Sequence, residues 1–178
     1  VANGKLLRAN ISDDLWIQPA AGDAGGAVGS ALAVWHLHLK KERKVNPNDS
    51  MSGCYLGPMF DETFIKDYLT SAEYKYTELK TDELIDKVSD LINDEKVIGW
   101  FDGKMEFGPR ALGARSIIGD ARSPKMQKIM NLKIKYRESF RPFAPSVLAE
   151  EISKYFEIDR ESPYMLLVAN VKENKQIK

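Results

Sequence analysis

Positively charged side chains are concentrated in one stretch of the chain, residues 103–141. This stretch has ten basic and three acidic side chains, and the rest of the neutral chain balances the excess. Guanidinium groups bind phosphate oxygens through paired hydrogen bonds, and lysine adds a point charge. Glycines and prolines beside several of these cations favour loops in which they could converge on a polyanionic small molecule. The basic residues are Lys104, Arg110, Arg115, Arg122, Lys125, Lys128, Lys133, Lys135, Arg137 and Arg141.

Charge alone allows two other interpretations of this stretch. Solvated basic faces are common on soluble proteins. Nucleic-acid binding is disfavoured because aromatic side chains do not alternate with the cations as a base-stacking platform requires. The Gly-x-x-x-x-Gly-Lys-Ser/Thr pattern is absent from the sequence, which disfavours a P-loop enzyme.

A single aspartate, Asp23, stands in the small-residue loop of residues 22–26. Its carboxylate could ligate a metal ion, and the glycines would let a ligand approach the backbone. The residue types alone favour the alternative of a plain helix N-cap. His36 and His38 would not face each other on a helix, and nothing near Cys54 suggests an activated thiol, so we interpret these three residues as structural.

Hydrophobic spacing predicts a mixed order of helices and strands around these residues. Helices are predicted over residues 27–39, 61–69, 81–92, 123–133 and 150–156. A strand and turn are predicted over residues 5–17, and strands over 96–101, 115–118, 144–148 and 164–171. Asp61 and Thr81 are the predicted N-caps of their helices.

Length and composition limit the class of protein. The chain has 178 residues, 43% of them hydrophobic, which is enough for one ordinary domain or two small ones. The single cysteine excludes an internal disulfide, and no apolar run approaches the roughly 20 residues of a membrane span. We therefore expect a cytoplasmic protein. Because the chain begins with Val1 in what is predicted to be a strand, we also expect it to be part of a longer protein.

Three segments resemble one family, the NodU-type O-carbamoyltransferases, in the family's own order. Residues 99–118 (GWFDGKMEFGPRALGARSII) and 135–146 (KYRESFRPFAPS) resemble the two halves of its signature. Residues 18–27 (QPAAGDAGGA) resemble the end of its first domain. Three ordered matches are more specific than one short motif.

The resemblance implies a fold class of α/β (mixed α+β), in two parts. The family's N-terminal domain has an actin-like ATPase fold, and its C-terminal domain resembles the YrdC-like fold. Residues 1–58 would be the tail of the first domain and residues 59–92 would be connecting helices. Residues 93–178 would then begin the second domain.

The resemblance also implies a reaction, ATP-dependent O-carbamoyl transfer. Carbamoyl phosphate and ATP would give carbamoyladenylate, and a hydroxyl of a small-molecule acceptor in a biosynthetic pathway would receive the carbamoyl group. The family's positions for the phosphate-bearing groups fall on Arg110, Lys135 and Arg141, which we also predict to be the catalytic residues. Arg115, Ser116 and Arg137 are second-rank candidates for binding the same ligands. Glu106 would orient one of the arginines through a salt bridge.

The family's metal site falls on Asp23, which aligns with an aspartate that helps to bind iron together with two earlier histidines. The site would hold iron or another divalent metal, with ligands missing from this chain. We therefore expect the chain alone to be inactive. We expect no membrane partner, and the sequence leaves a homodimer possible.

Two hypotheses from other classes stand beside the enzyme. One is a YrdC-like RNA-binding or tRNA-modification-related module, for which salt-dependent RNA binding would be the mark. The other is a catalytically silent interaction fragment, which would bind no phosphate ligand when well folded.

Replacing Asp23 by alanine in the whole protein should weaken metal binding and slow transfer to the acceptor. Carbamoyladenylate formation should be spared, because it is assigned to the other domain. Elemental analysis measures the bound metal. An unchanged metal content would contradict the ligand assignment.

Overall fold

The structure, a computed structural model, describes residues 2–177, which form mainly short helices and one hairpin. The α-helices are α1 (Ala2–Arg8), α2 (Asp23–Ala33), α3 (Glu62–Ser71), α4 (Thr81–Asn93), α5 (Met126–Ile129) and α6 (Ile152–Tyr155). The strands are β1 (Ile98–Phe101) and β2 (Arg115–Ile118). Single π-turns continue α2 and α5, over Val34–His38 and Met130–Ile134. Short 3-10 turns lie at Ser52–Cys54, Ala149–Glu151 and Glu173–Lys175.

The chain divides into two compact units. The first unit lies within residues 2–57, 105–112 and 146–177, and the second within residues 58–104 and 113–145.

The second unit is organised around the antiparallel pairing of β1 with β2. The register places Ile98 opposite Ile118 and Phe101 opposite Arg115. All four residues of β2 are partly buried. Ala114 before β2, and Met126 and Met130 after it, are the buried hydrophobic residues of this unit. The hairpin and the helical segment 126–134 therefore form its core.

Helix α4 packs against β1 through an apolar stripe. Val88, Leu91 and Ile92 lie at helical spacing and are partly buried, whereas Leu84 and Ile85 near the start of the helix are exposed. The pattern follows from the 3.6-residue repeat, which puts these residues on one side of the helix.

The first unit joins its N-terminal and C-terminal segments through polar contacts. The Asn3 amide donates to the Leu166 carbonyl at 3.0 Å, and the Arg8 guanidinium donates to the Val168 carbonyl at 3.0 Å. An isolated bridge pairs Phe156 with Val171. Helix α1 is thereby held against residues 166–168.

The mixed α/β class is confirmed, and so are most of the predicted elements. Strands β1 and β2 and the helices at 27–39, 61–69, 81–92, 123–133 and 150–156 are present with small shifts of their ends. Asp61 caps α3 as predicted, but Lys80 rather than Thr81 is the N-cap of α4. The Glu83 carboxylate accepts a hydrogen bond from the Lys80 backbone N–H at 3.0 Å, which sets that start.

Three predicted strands are wrong. Residues 2–8 form helix α1 where a strand and turn were expected from residue 5. Residues 144–148 and 164–171 contain no strand, apart from the bridge at Val171. A strand needs a paired neighbour for its backbone groups, and within residues 2–177 the one two-stranded sheet is formed by β1 and β2, whereas Val171 makes only an isolated bridge. The attribution to actin-like and YrdC-like domains and the domain boundaries stay predictions.

No helix found between residues 2 and 177 is long and apolar enough to cross a membrane.

Replacing Asp61 by alanine should destabilise the chain by about 1 kcal/mol, because the side chain accepts the Phe64 backbone N–H at 2.8 Å. Chemical denaturation measures the free energy of unfolding. Asp67→Ala, at an exposed position inside α3, is the matched control and should change it little. Equal losses in the two variants would contradict the capping assignment.

Candidate functional site

The cationic segment 135–141 of the second unit is organised by one buried amide. Asn131 is 0% exposed. Its amide nitrogen donates to the carbonyls of Ser139 at 3.1 Å and Arg141 at 2.8 Å. Its amide oxygen accepts from Nε of Arg137 at 2.6 Å, and its backbone carbonyl accepts from the Arg137 N–H at 3.0 Å. Both ends of the segment 137–141 are therefore attached to one side chain.

A second amide, from Gln127, reaches the same segment. Its side-chain nitrogen donates to the carbonyls of Phe140 at 3.3 Å and Arg141 at 3.1 Å. The Arg141 carbonyl thus accepts from both Gln127 and Asn131, and a carbonyl oxygen has the two lone pairs that this requires.

The cations of this segment differ in how firmly they are held. The Arg137 guanidinium lies over the Phe143 ring, 4.9 Å from its centroid, in addition to its bond to Asn131. Arg141 and Glu138 form an ion pair at 3.2 Å in which both side chains are more than half exposed. Lys135 is exposed and makes no side-chain hydrogen bond or ion pair with residues 2–177.

The charge on Glu138 follows from its neighbours. A hydrogen bond with its own backbone, and then the Arg141 guanidinium, lower the pKa of the Glu138 carboxyl. The carboxylate is therefore ionised at neutral pH and offsets part of the positive charge beside it. An exposed pair of this kind contributes little stability, so an incoming phosphate can replace Glu138.

Two of the predicted ligand residues, Arg115 and Ser116, brace the hairpin. The Arg115 guanidinium donates to the carbonyls of Asp102 at 2.8 Å and Gly103 at 3.2 Å, and lies 3.6 Å from the centroid of the Phe101 ring. The Ser116 hydroxyl accepts from the Gly113 N–H at 3.0 Å. Both side chains fix the ends of β1 and β2, and their assignment to ligand binding stays a prediction.

Arg122 has a similar structural role. Its guanidinium makes two bonds to Asp120, at 2.8 and 2.9 Å, and one to Asn93 at 2.9 Å. These bonds from the Arg122 side chain and backbone lower the pKa of the Asp120 carboxyl. Arg122 thus ties the end of α4 to the turn after β2.

The loop that carries Arg110, residues 105–112, belongs to the first unit and is hydrogen-bonded along its length. The Glu106 carboxylate, 6% exposed, accepts from the Leu112 N–H at 2.7 Å. The Tyr55 hydroxyl donates to the Leu112 carbonyl at 2.5 Å. The Phe107 N–H donates to the Cys54 carbonyl at 2.6 Å. Arg110 itself is exposed at the middle of this braced loop.

Residues 49–54 support this loop in turn. The Tyr164 hydroxyl donates to the Asp49 carboxylate and accepts from the Gly53 N–H at 3.0 Å. Burial, together with the bond to Asp49, raises the pKa of Tyr164 to about 12. Burial also raises the pKa of the Cys54 thiol, which agrees with a structural role for that residue.

Asp23 is exposed and is the first residue of α2. The N-cap of α2 is Gly22, so the alternative of Asp23 as N-cap is wrong. No group of three or more His, Cys, Asp or Glu side chains within residues 2–177 could hold a metal. One exposed carboxylate does not make an iron site, and the donor set described here does not fit the metal by itself. The His36 Nδ1 lies 2.9 Å from the Lys41 carbonyl oxygen.

The six predicted phosphate-binding residues are divided between the units. Arg110 lies in the first unit, whereas Arg115, Ser116, Lys135, Arg137 and Arg141 lie in the second. Sequence reasoning missed Asn131 and Gln127. The available signal was their spacing, because amides four positions apart in a predicted helix lie on one face.

Comparison with known proteins identifies the family. The Carbamoyltransferase N-terminus model matches residues 1–32, and the Carbamoyltransferase C-terminus model matches residues 89–178, which contain every cation of the second-unit site. The chain belongs to the NodU-type carbamoyltransferase family.

Relatives align along nearly the whole chain. An uncharacterized protein of Synechocystis is 57% identical over 99% of this chain and 29% of its own length. Nodulation protein NolO of Bradyrhizobium diazoefficiens is 38% identical over 97% of this chain and 32% of its own length. Nodulation protein U of Rhizobium fredii is 31% identical over 92% of this chain and 26% of its own length. The chain thus spans about a third or less of these relatives.

Replacing Gly108 by alanine should destabilise the loop that carries Arg110. Gly108 has φ +104°, and a Cβ there would lie 2.6 Å from the Cβ of Ala20. The expected loss in free energy of unfolding is about 1–3 kcal/mol. Gly103→Ala is the matched control, because Gly103 also has positive φ (+57°) but open space around it. A loss no larger than that of the control would show that the Ala20 contact is unimportant.

Proposed function

We propose that the whole protein is an ATP-dependent O-carbamoyltransferase that makes carbamoyladenylate and passes its carbamoyl group to a hydroxyl of a small-molecule acceptor. The observation that supports this most is the ordered match of both carbamoyltransferase family models, the second of which includes the braced cations of residues 135–141. The protein would act in the cytoplasm, with carbamoyl phosphate and ATP as its phosphate-bearing substrates.

The proposed reaction has three steps. Hydrolysis of carbamoyl phosphate gives carbamate and inorganic phosphate. A carbamate oxygen then attacks the α-phosphorus of ATP, and the bond to pyrophosphate breaks. Finally the acceptor hydroxyl attacks the carbamoyl carbon, its proton is lost, and AMP leaves. Each of the first two steps places negative charge on phosphate oxygens, which fixed cations stabilise.

The second unit offers cations in three different states. Lys135 is exposed and would supply a point charge, while Arg141 is held through its backbone and would exchange Glu138 for a phosphate. Arg137 keeps its Nε on Asn131, and its terminal nitrogens make no hydrogen bond with residues 2–177. These terminal nitrogens form a planar pair that suits two oxygens of one phosphate.

Arg110 would bind phosphate from the first-unit loop, and Asp23 would be one ligand of iron or another divalent metal. The remaining metal ligands are not among the residues described here.

Replacing Arg110, Lys135 or Arg141 by alanine in the whole protein should each slow carbamoyladenylate formation by at least about tenfold. Losing one charge-assisted hydrogen bond costs roughly 1.5–3 kcal/mol, which corresponds to about ten- to a hundredfold. If the Arg110 guanidinium binds two phosphate oxygens, Arg110→Lys should be more active than Arg110→Ala but less active than the unmodified protein. The measurement is pyrophosphate release with carbamoyl phosphate and ATP.

Two exposed cations provide matched controls for these variants. Lys128 in α5 and Arg43 in the loop after α2 are exposed. Lys128→Ala and Arg43→Ala should change pyrophosphate release by less than about twofold. Thermal melting checks folding in every variant. If all the variants behave alike, the cations form a general electrostatic surface and the site assignment is wrong.

A further inference from the structure

Asn131 is a polar side chain at 0% exposure, in a unit whose buried hydrophobic residues are Ala114, Met126 and Met130. Burying an amide is unfavourable unless its donors and acceptor are all satisfied. All three side-chain bonds of Asn131 go to one segment, residues 137–141, rather than to its own helix. The buried amide is therefore stable because its hydrogen bonds are made by that segment, and the same bonds fix the conformation of the segment.

The bonds fix the two arginines of this segment in different ways. Arg137 is held by its side chain, because Nε donates to the Asn131 oxygen. Arg141 is held by its backbone, because its carbonyl accepts from Asn131 and Gln127 while its guanidinium extends to the exposed Glu138. The two amides thus fix the backbone position of Arg141 and leave its guanidinium available to a ligand.

We propose that Asn131 and Gln127 are positioning residues that orient Arg137 and Arg141 for a phosphate-bearing substrate. This inference rests on the proposed function and deepens it, since it assigns substrate affinity to two uncharged side chains that act through the arginines. Asn131 orients both arginines, whereas Gln127 orients Arg141 alone.

Gln127→Ala is the main test, because Gln127 is exposed and its replacement removes two hydrogen bonds without opening a buried cavity. In the whole protein it should raise the KM for carbamoyl phosphate or for ATP in pyrophosphate release by about three- to tenfold. The melting temperature should change little. Asn93→Ala is the matched control, since Asn93 holds Arg122 in the same unit, and it should leave both KM values within about twofold.

Asn131→Asp should have a larger effect than Gln127→Ala. The carboxylate keeps an acceptor for Arg137 but can no longer donate to the carbonyls of Ser139 and Arg141, and it faces them with negative charge. We expect a rise in the same KM of more than tenfold in the folded variant. If this variant does not fold, the Gln127 series alone decides the question.

A double-mutant cycle separates positioning from general structural support. In the Arg141→Ala background, Gln127→Ala should raise the KM no further, because the side chain it orients is gone. A structural role predicts equal, additive effects in the two backgrounds and a fall in melting temperature in both.

The outcomes distinguish this inference from the proposed function. Absence of pyrophosphate release by the unmodified whole protein would overturn the proposed function itself. Normal release by the unmodified protein, with both KM values of Gln127→Ala within twofold of it, would overturn the positioning role and leave the function standing.

Discussion

The buried amide of Asn131 is the interaction on which the cationic segment depends. It belongs to the helical segment that also carries the buried Met126 and Met130, and an unsatisfied polar group at 0% exposure would be costly. The amide becomes stable there by taking the carbonyls of Ser139 and Arg141 as acceptors. These hydrogen bonds offset the cost of burying the amide, and they also fix the conformation of residues 137–141, which have no regular secondary structure. Rigid placement of cations lets a site meet developing charge without reorganising.

The loop of Arg110 follows the same rule with different groups. Glu106 is nearly buried and satisfies the Leu112 N–H, while the Tyr55 hydroxyl satisfies the Leu112 carbonyl. Gly108 at positive φ allows the loop to approach Ala20 closely. In both loops, therefore, uncharged or acidic side chains hold the backbone, and the Arg110 and Arg141 side chains are exposed. The residues that carry the positive charge are therefore different from the residues that fix the conformation of the loops.

Sequence reasoning succeeded where structure is decided locally. The capped helix after Asp61, the stripe of α4 and strand β2 follow from caps and from the spacing of apolar residues, which act over a few positions. It failed for residues 164–171, whose apolar run resembles a strand but finds a single bridge partner in Phe156. The assignment of Arg115 and Ser116 to ligand binding stays a prediction, and both side chains also make hydrogen bonds with backbone groups of the hairpin. Residue type does not reveal whether a guanidinium faces a ligand or a carbonyl.

The sequence by itself determined the family and the mixed α/β class, because segments 18–27, 99–118 and 135–146 resemble the family's motifs in the family's order. It also pointed to the cluster of cations, since charge is a property of composition. Only the tertiary structure decided which amides hold that cluster, because Asn131 and Arg141 are ten positions apart and meet through the turn that follows the helix. Such contacts depend on the path of the chain in space, and no periodicity of the sequence encodes them.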